Sequence, residues 1–133
     1  IFTRKIPVGK KLVIPSAHAE GKFLLPKDRE EEMLREMIEN DQIVFRYVDP
    51  DGNYAGYPWN PNGSIYNIAG ICNSYGNVLG MMPHPERVFY RITHPDWTRY
   101  VAGGREDKKV NVEEYGDGYH IFKACVDYLR RKF

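Results

Sequence analysis

"IYNIAGICNSYGNVLGMMPHPER", residues 65–87, sets two short apolar runs around a polar turn and ends in a histidine held between prolines. "IYNIAGIC" and "NVLGMM" read as two strands, and "NSYG" between them as the turn of a β-hairpin. The second arm runs into Pro83. Pro85 then pushes His84 away from helical backbone toward an extended one. In extended chain, residues two apart point to the same side. His84 and Glu86 can therefore project from a strand end toward one point. Glu86 would orient the imidazole and leave its other nitrogen free as a general base. That is two-thirds of a nucleophilic triad. A plainer reading uses the same residues: His84 caps the strand end and Glu86 pairs with Arg87 or another neighbour. The tripeptide alone leaves both open.

Working outward, "KLVIP" (11–15) reads as a short strand ending at a proline, and "SAHAEGKF" (16–23) as a loop of small residues carrying His18 and Glu20. "PKDREEEMLREMIEND" (26–41) has helical character: Asp28 and Glu31 have capping-box spacing, and the acidic first turn suits the helix dipole. Met33, Leu34, Met37 and Ile38 form one narrow apolar face. "QIVFRYV" (42–48) alternates as a strand. "DPDGNYAGYPWNPNGS" (49–64) is turn chemistry throughout and reads as a loop; its Tyr, Trp and Asn side chains suit either a partner surface or a plain connection. A polar stretch from Val88 to about Tyr115 shows weak periodicity. The chain then closes with an amphipathic helix in "GDGYHIFKACVDYLRRKF" (116–133), with Asp117 as N-cap and Ile121, Phe122, Cys125, Val126 and Leu129 on the apolar face. The order strand, helix, strand, hairpin, helix supports an α/β class. It supplies too few crossovers for a complete parallel sheet, so the sheet is expected to be incomplete.

The 133 residues amount to one domain, 42% hydrophobic and 28% charged, which fits an ordinary soluble globular protein with a sizeable core. A net charge of +1 gives no electrostatic case for nucleic acid or an anionic membrane surface. No apolar run approaches a membrane span. Two cysteines are too few for a disulfide framework, which makes the cytoplasm the default location.

A third triad member is harder to find. "AGICNSYG" imitates the glycine-flanked cysteine of a nucleophile elbow, but an elbow needs strand, strained turn and helix. Cys72 instead opens a hairpin, where it reads as a small hydrophobe. Cys125 lies on the apolar face of the last helix and is expected to be buried. A self-sufficient thiol hydrolase built on Cys72 is the weakest of the functional readings. His84, Glu86 and His94 match no familiar zinc spacing, and no metal site is expected. His120 reads as a surface or interface residue. Neither a P-loop nor a G-x-G-x-x-G is present.

Four blocks, "IPSAHAEGKF", "VFRYVD", "NPNGSIYNIAGICNSYGNVLGMMPHPER" and "GDGYHIF", together resemble the glutaminase subunit of phosphoribosylformylglycinamidine synthase, in matching order and over nearly the whole chain. The resemblance implies a class I, triad-type glutamine amidotransferase: an α/β, flavodoxin-like domain with a mixed sheet flanked by helices and a Cys-His-Glu triad. It implies that His84 is the triad histidine and Glu86 its carboxylate partner. It also implies that the loop at Ala17, His18, Ala19 and Glu20 holds the amino-acid end of glutamine, with Ala19 standing where the family usually has glycine. The partners implied are a large synthetase subunit, which carries the ATP and Mg²⁺, and a small accessory subunit; no cofactor is expected on this chain.

The family's nucleophilic cysteine and oxyanion-hole loop precede the "IPxAH" segment, and this chain begins just before that segment, without Met. Residues 1–133 are therefore expected to be the C-terminal portion of one amidotransferase domain. Such a portion supplies histidine and glutamate, needs the N-terminal half, and is inactive alone. The alternative is a non-catalytic interaction module that docks on the synthetase. Retention of both His84 and Glu86 favours the enzyme reading.

Overall fold

The computed structural model describes residues 1–17, 20–98 and 114–133. In chain order they form α1 (Glu30–Glu39), β1 (Ile43–Arg46), β2 (Ile68–Cys72), β3 (Leu79–Met81) and α2 (Tyr119–Lys132), with short 3-10 turns at Ile65–Asn67, Pro85–Val88 and Arg91–Thr93. The chain divides into two units, His18–Met82 and the pair of segments Ile1–Ala17 and Pro83–Phe133.

The first of these units is built on the hairpin. β2 is the central strand of a three-stranded sheet in the order β1-β2-β3, and both pairings are antiparallel. The α/β class is borne out, and so is the incomplete sheet. The hairpin register is regular, with Gly70 opposite Met81, Ile71 opposite Gly80 and Cys72 opposite Leu79. Its turn closes because the Asn73 side-chain oxygen accepts the backbone N–H groups of Asn77 and Val78, each at 3.0 Å, while Gly76 takes a positive φ of 64°. The β1 side is irregular, with register shifts on either side of Phe45. Gly70 lies beneath that irregularity: a Cβ there would stand 3.0 Å from Met81 Cβ and 3.1 Å from the Phe45 ring. Ile68 and Ala69 of β2 are buried, as is Leu25.

α1 starts one residue later than the capping-box spacing suggests. Arg29 holds the N-cap position and no side chain caps it; the acidic first turn of Glu30, Glu31 and Glu32 faces the helix dipole. At its other end the turn is tight. Asp41 sits at a φ of 52°, a conformation aspartate tolerates better than most residues, and the Gln42 N–H reaches back to the Met37 carbonyl at 2.9 Å. That delivers the chain directly into β1. The expected apolar face is only partly covered: Met33, Leu34 and Met37 are half-buried and Ile38 is exposed.

The long 49–64 connection is more ordered than turn chemistry alone suggests. The Asp49 carboxylate accepts the N–H groups of Asp51 and Asn53. Asn60 and Ser64 are buried and exchange two bonds of 2.9 Å, Asn60 Nδ2 donating to the Ser64 carbonyl and the Ser64 N–H to Asn60 Oδ1. Around this loop the Arg46 guanidinium lies between the rings of Tyr54 and Tyr66, at 3.5 and 3.6 Å from their centroids.

The other unit forms around α2. Ile121 and Ala124 of that helix are buried, as is Val88 from the 3-10 turn. Beside them Phe89 packs edge-on against Tyr90, Tyr115 and Tyr119. Cys125, expected to be buried, is half-buried, because the covered face of α2 centres on Ile121 and Ala124 and leaves Phe122, Val126 and Leu129 exposed. Residues 11–15 are not a strand. They run as an irregular segment whose backbone finds partners outside any sheet, in the Asp117 carboxylate and the His84 N–H. Asp117 is not the N-cap of α2, a position Gly118 holds without a side-chain bond. Its carboxylate instead accepts the Val13 N–H at 2.8 Å. Among the described residues, no helix is long and apolar enough to cross a membrane.

One further link secures the first residues to α2. Asp127 lies 2.6 Å from Lys5 Nζ and pairs also with Lys123. These two partners, Lys123 first and Lys5 second, lower its pKa from 3.8 to about 2. A carboxyl whose folded-state pKa is depressed stabilises the fold above its ordinary pKa and loses that contribution as pH falls through the depressed value. Asp127→Asn should therefore lower the melting temperature near neutrality, and the gap to the parent protein should close between about pH 4 and pH 2. Thermal melts across that range test this, and a gap independent of pH would refute it.

Candidate active site

Pro83, two residues past the end of β3, is buried. His84 has φ −100° and ψ 90°, the non-helical backbone that a following proline demands. Pro85 then opens a 3-10 turn over Pro85–Val88, a position where its missing N–H costs nothing. Glu86 is the second residue of that turn. The chain therefore does not bring the two side chains together along an extended strand end, as the i, i+2 argument supposes. The turn folds Glu86 back toward the residue that precedes it. The result is the expected contact by a different route: His84 Nδ1 lies 2.7 Å from Glu86 Oε1.

With Nδ1 donating to the carboxylate, the imidazole is left with Nε2 as its free acceptor. The His84 side chain is about one-third exposed and Glu86 more so, at 33% and 58%, so the pair is open to a reactant. The Glu86 carboxyl is held below the usual glutamate range. Its own backbone N–H is the main cause, the His84 hydrogen bond the second, and the charges of His84 and Arg87 add to both. An ionised carboxylate is the form that keeps an imidazole oriented.

The backbone of His84 is anchored as well. Its N–H donates to the Pro15 carbonyl at 2.8 Å, two residues upstream of Ala17. Ala17 is exposed at the end of this anchored segment, and Glu20 is exposed in the other unit. His18 and Ala19 lie outside the described residues. Sequence reasoning gave no hint of the Pro15–His84 bond, because it joins segments far apart in the chain.

The remaining candidates take structural positions. Cys72 closes β2 opposite Leu79, its Sγ 3.8 Å from the Asp41 carbonyl, which is the hairpin role expected of it. His94 is buried and its Nδ1 accepts the Asp96 N–H at 3.0 Å. His120 is exposed beside Tyr119.

A histidine ring aligned by a carboxylate, its backbone tied to the "IPSA" segment, can take and deliver a proton for a nucleophile brought to Nε2. Residues 1–129 match the model of the CobB/CobQ-like glutamine amidotransferase domain. The chain belongs to this family. Among curated relatives it is similar to the phosphoribosylformylglycinamidine synthase subunit PurQ of Archaeoglobus fulgidus, 54% identical over 90% of this chain and 39% of that protein. The PurQ subunit of Picrophilus torridus is 58% identical over 68% of this chain and 36% of its own length. That of Methanococcus maripaludis is 38% identical over 98% of this chain and 47% of its own. The chain thus spans less than half the length of these PurQ relatives.

The two influences on Glu86 can be separated. In carbon-detected NMR, its carboxyl carbon should titrate below the ordinary value of 4.5. In His84→Ala the midpoint should rise only part of the way, because the contribution from the backbone N–H persists. The sign follows: the pairing stabilises above the ordinary glutamate pKa and is lost as pH falls through the depressed one. A midpoint unmoved by His84→Ala would show that the two side chains do not interact.

Proposed function

We propose that this chain supplies the general acid–base half of a glutaminase, with His84 as the proton carrier and Glu86 as its orienting carboxylate. The observation that carries the proposal is the 2.7 Å contact between His84 Nδ1 and Glu86 Oε1, set in a chain of the glutamine amidotransferase family. A module that only docks has no use for an aligned imidazole with a free Nε2.

In the proposed reaction His84 takes the proton of a cysteine thiol, and the resulting thiolate attacks the side-chain carbonyl carbon of glutamine, forming a C–S bond. Backbone N–H groups stabilise the resulting oxyanion. As the C–N bond breaks, His84 gives its proton to the departing nitrogen and ammonia leaves. A water molecule, losing a proton to His84, then adds to the thioester; glutamate departs and the sulfur recovers its proton. Glu86 orients the ring throughout, whether imidazole or imidazolium, and stays ionised. The nucleophile and oxyanion-hole loop are proposed to lie outside residues 1–133, which would make these residues the C-terminal portion of one domain and inactive alone. The length comparison supports this, since the PurQ relatives are more than twice as long as the part matched.

Segment 17–20 is proposed to hold the amino-acid end of glutamine: Ala17, His18, Ala19 and Glu20. What supports it is the hydrogen bond from His84 to Pro15, which ties the segment leading into Ala17 to the acid–base pair. The names of the relatives support a synthase setting, in which ammonia passes to a large synthetase subunit that uses ATP to convert formylglycinamide ribonucleotide to its amidine. A small accessory subunit completes that assembly. A soluble, cytoplasmic enzyme follows from this role.

The test is glutamate release from glutamine, measured on the 15.5 kDa chain and on the protein carrying the cysteine-bearing segment, with and without the synthetase. The chain alone should release none. In the active form, His84→Ala should lower kcat by about 10²–10⁴-fold and Glu86→Gln by less, while Cys72→Ala should leave it unchanged. Full activity in His84→Ala would overturn the assignment.

A further inference from the structure

The turn that carries Glu86 packs against α2, and two glycines stand just before that helix. Gly118 there has φ −63° and ψ −31°, helical backbone open to any residue, so conformational freedom does not explain the glycine. Space does. A Cβ at Gly118 would stand 1.9 Å from the Pro85 carbonyl oxygen and 2.7 Å from its carbon. Both are backbone atoms, which cannot swing aside as a side chain can. The neighbouring turn is equally close, since a Cβ at Gly116 would stand 2.3 Å from the Val88 carbonyl oxygen. Backbone bonds lock the approach: the Gly118 N–H donates to the Val88 carbonyl at 3.1 Å and the Gly116 N–H to that of Phe89 at 2.9 Å.

Pro85 is the residue between His84 and Glu86. Its carbonyl belongs to the same rigid peptide plane as the Glu86 N–H, which is aimed at the Glu86 carboxylate. Tilting that plane to admit a methyl group at position 118 therefore shifts Glu86 relative to His84. Between the two glycines, Asp117 acts on the other side of the histidine. It holds the Val13 N–H at 2.8 Å, two residues before the Pro15 carbonyl that accepts the His84 N–H.

We infer that Asp117 and Gly118 are positioning residues for the His84–Glu86 pair, Gly118 by admitting the Pro85 carbonyl and Asp117 by holding the Val13–Pro15 segment against His84. The inference rests on the glutaminase reading above.

The experiment compares two substrates in the active, cysteine-bearing protein: glutamine, whose nitrogen must be protonated to leave, and a γ-glutamyl p-nitrophenyl ester, whose leaving group needs no proton. The ratio of their kcat/KM values does not depend on how much of the enzyme is folded, so lost stability alone leaves it unchanged. Gly118→Ala should lower kcat/KM for glutamine by about 10²-fold, the scale of an ångström's misplacement, and lower the glutamine-to-ester ratio by at least about tenfold. Asp117→Ala should lower the ratio in the same direction, and Asp117→Asn should restore it, because an amide oxygen still accepts the Val13 N–H. If Gly118→Ala does not fold, the two Asp117 variants decide the matter. A ratio equal to that of the parent protein in the folded variants, with His84→Ala inactive, overturns the inference and leaves the glutaminase reading standing. Undiminished glutamine hydrolysis in His84→Ala removes both.

Discussion

The Pro85 carbonyl rests against a backbone that has no room for a side chain, and much of the C-terminal unit is arranged around that approach. The 3-10 turn over Pro85–Val88 can sit there only because Gly116 and Gly118 bare their backbones to it. Once seated, the turn buries Val88 against Ile121 and Ala124 and folds Glu86 back onto His84. Prolines on both sides remove much of the conformational freedom His84 would otherwise have to lose on ordering. The histidine is then fixed from three directions: by the proline ring after it, by its carboxylate partner, and by the Pro15 carbonyl that accepts its N–H. In the proposed role of proton carrier, His84 must be held to within a fraction of an ångström. Here backbone contacts do most of that holding, which keeps the imidazole edge itself free for chemistry.

The other unit solves a different problem with similar means. β2 is the central strand and must accept a partner on each side, yet β1 pairs with it irregularly. Gly70 lets Phe45 and Met81 close over the strand at that point. The hairpin turn and the loop before it both rely on asparagine. Asn73 satisfies two N–H groups of its turn, and Asn60 fastens buried Ser64 in both directions. Backbone groups in irregular chain must find partners when they are buried. Side-chain amides, with a donor and an acceptor on one group, supply them where no neighbouring strand can.

How much of this could be read in advance depended on the range of the interactions. The hairpin, its turn and the two helices were legible because apolar spacing and turn residues are local signals. The His84–Glu86 pair was legible for the same reason, although the geometry that joins them is a 3-10 turn rather than extended chain. What failed was whatever depended on distant segments. "KLVIP" has the composition of a strand, but its backbone is used by Asp117 and His84. Asp117 has the chemistry of an N-cap, yet it spends its carboxylate on Val13. One local signal also failed: Asp28 and Glu31 have capping-box spacing, but the helix begins at Glu30. The glycines of "GDG" give no local signal, because their role is steric and appears only once the Pro85 carbonyl is in place.

Among the described residues, two carboxylates in the unit formed by Ile1–Ala17 and Pro83–Phe133 have depressed pKa values, and they show why electrostatics alone does not locate a site. Asp127 is pulled down to about 2, and a search for the most perturbed group would stop there. Its partners are two lysines, Lys5 near the start of the chain and Lys123 on α2. The cluster serves as a strap. Glu86 is lowered by its own N–H and by a histidine. Histidine is the side chain whose ordinary pKa lies close enough to neutrality to give and take a proton within a catalytic cycle. The distinction therefore rests on the partner and not on the size of the shift. A carboxylate that holds lysines fastens two segments together, whereas one that aligns an imidazole prepares it for chemistry.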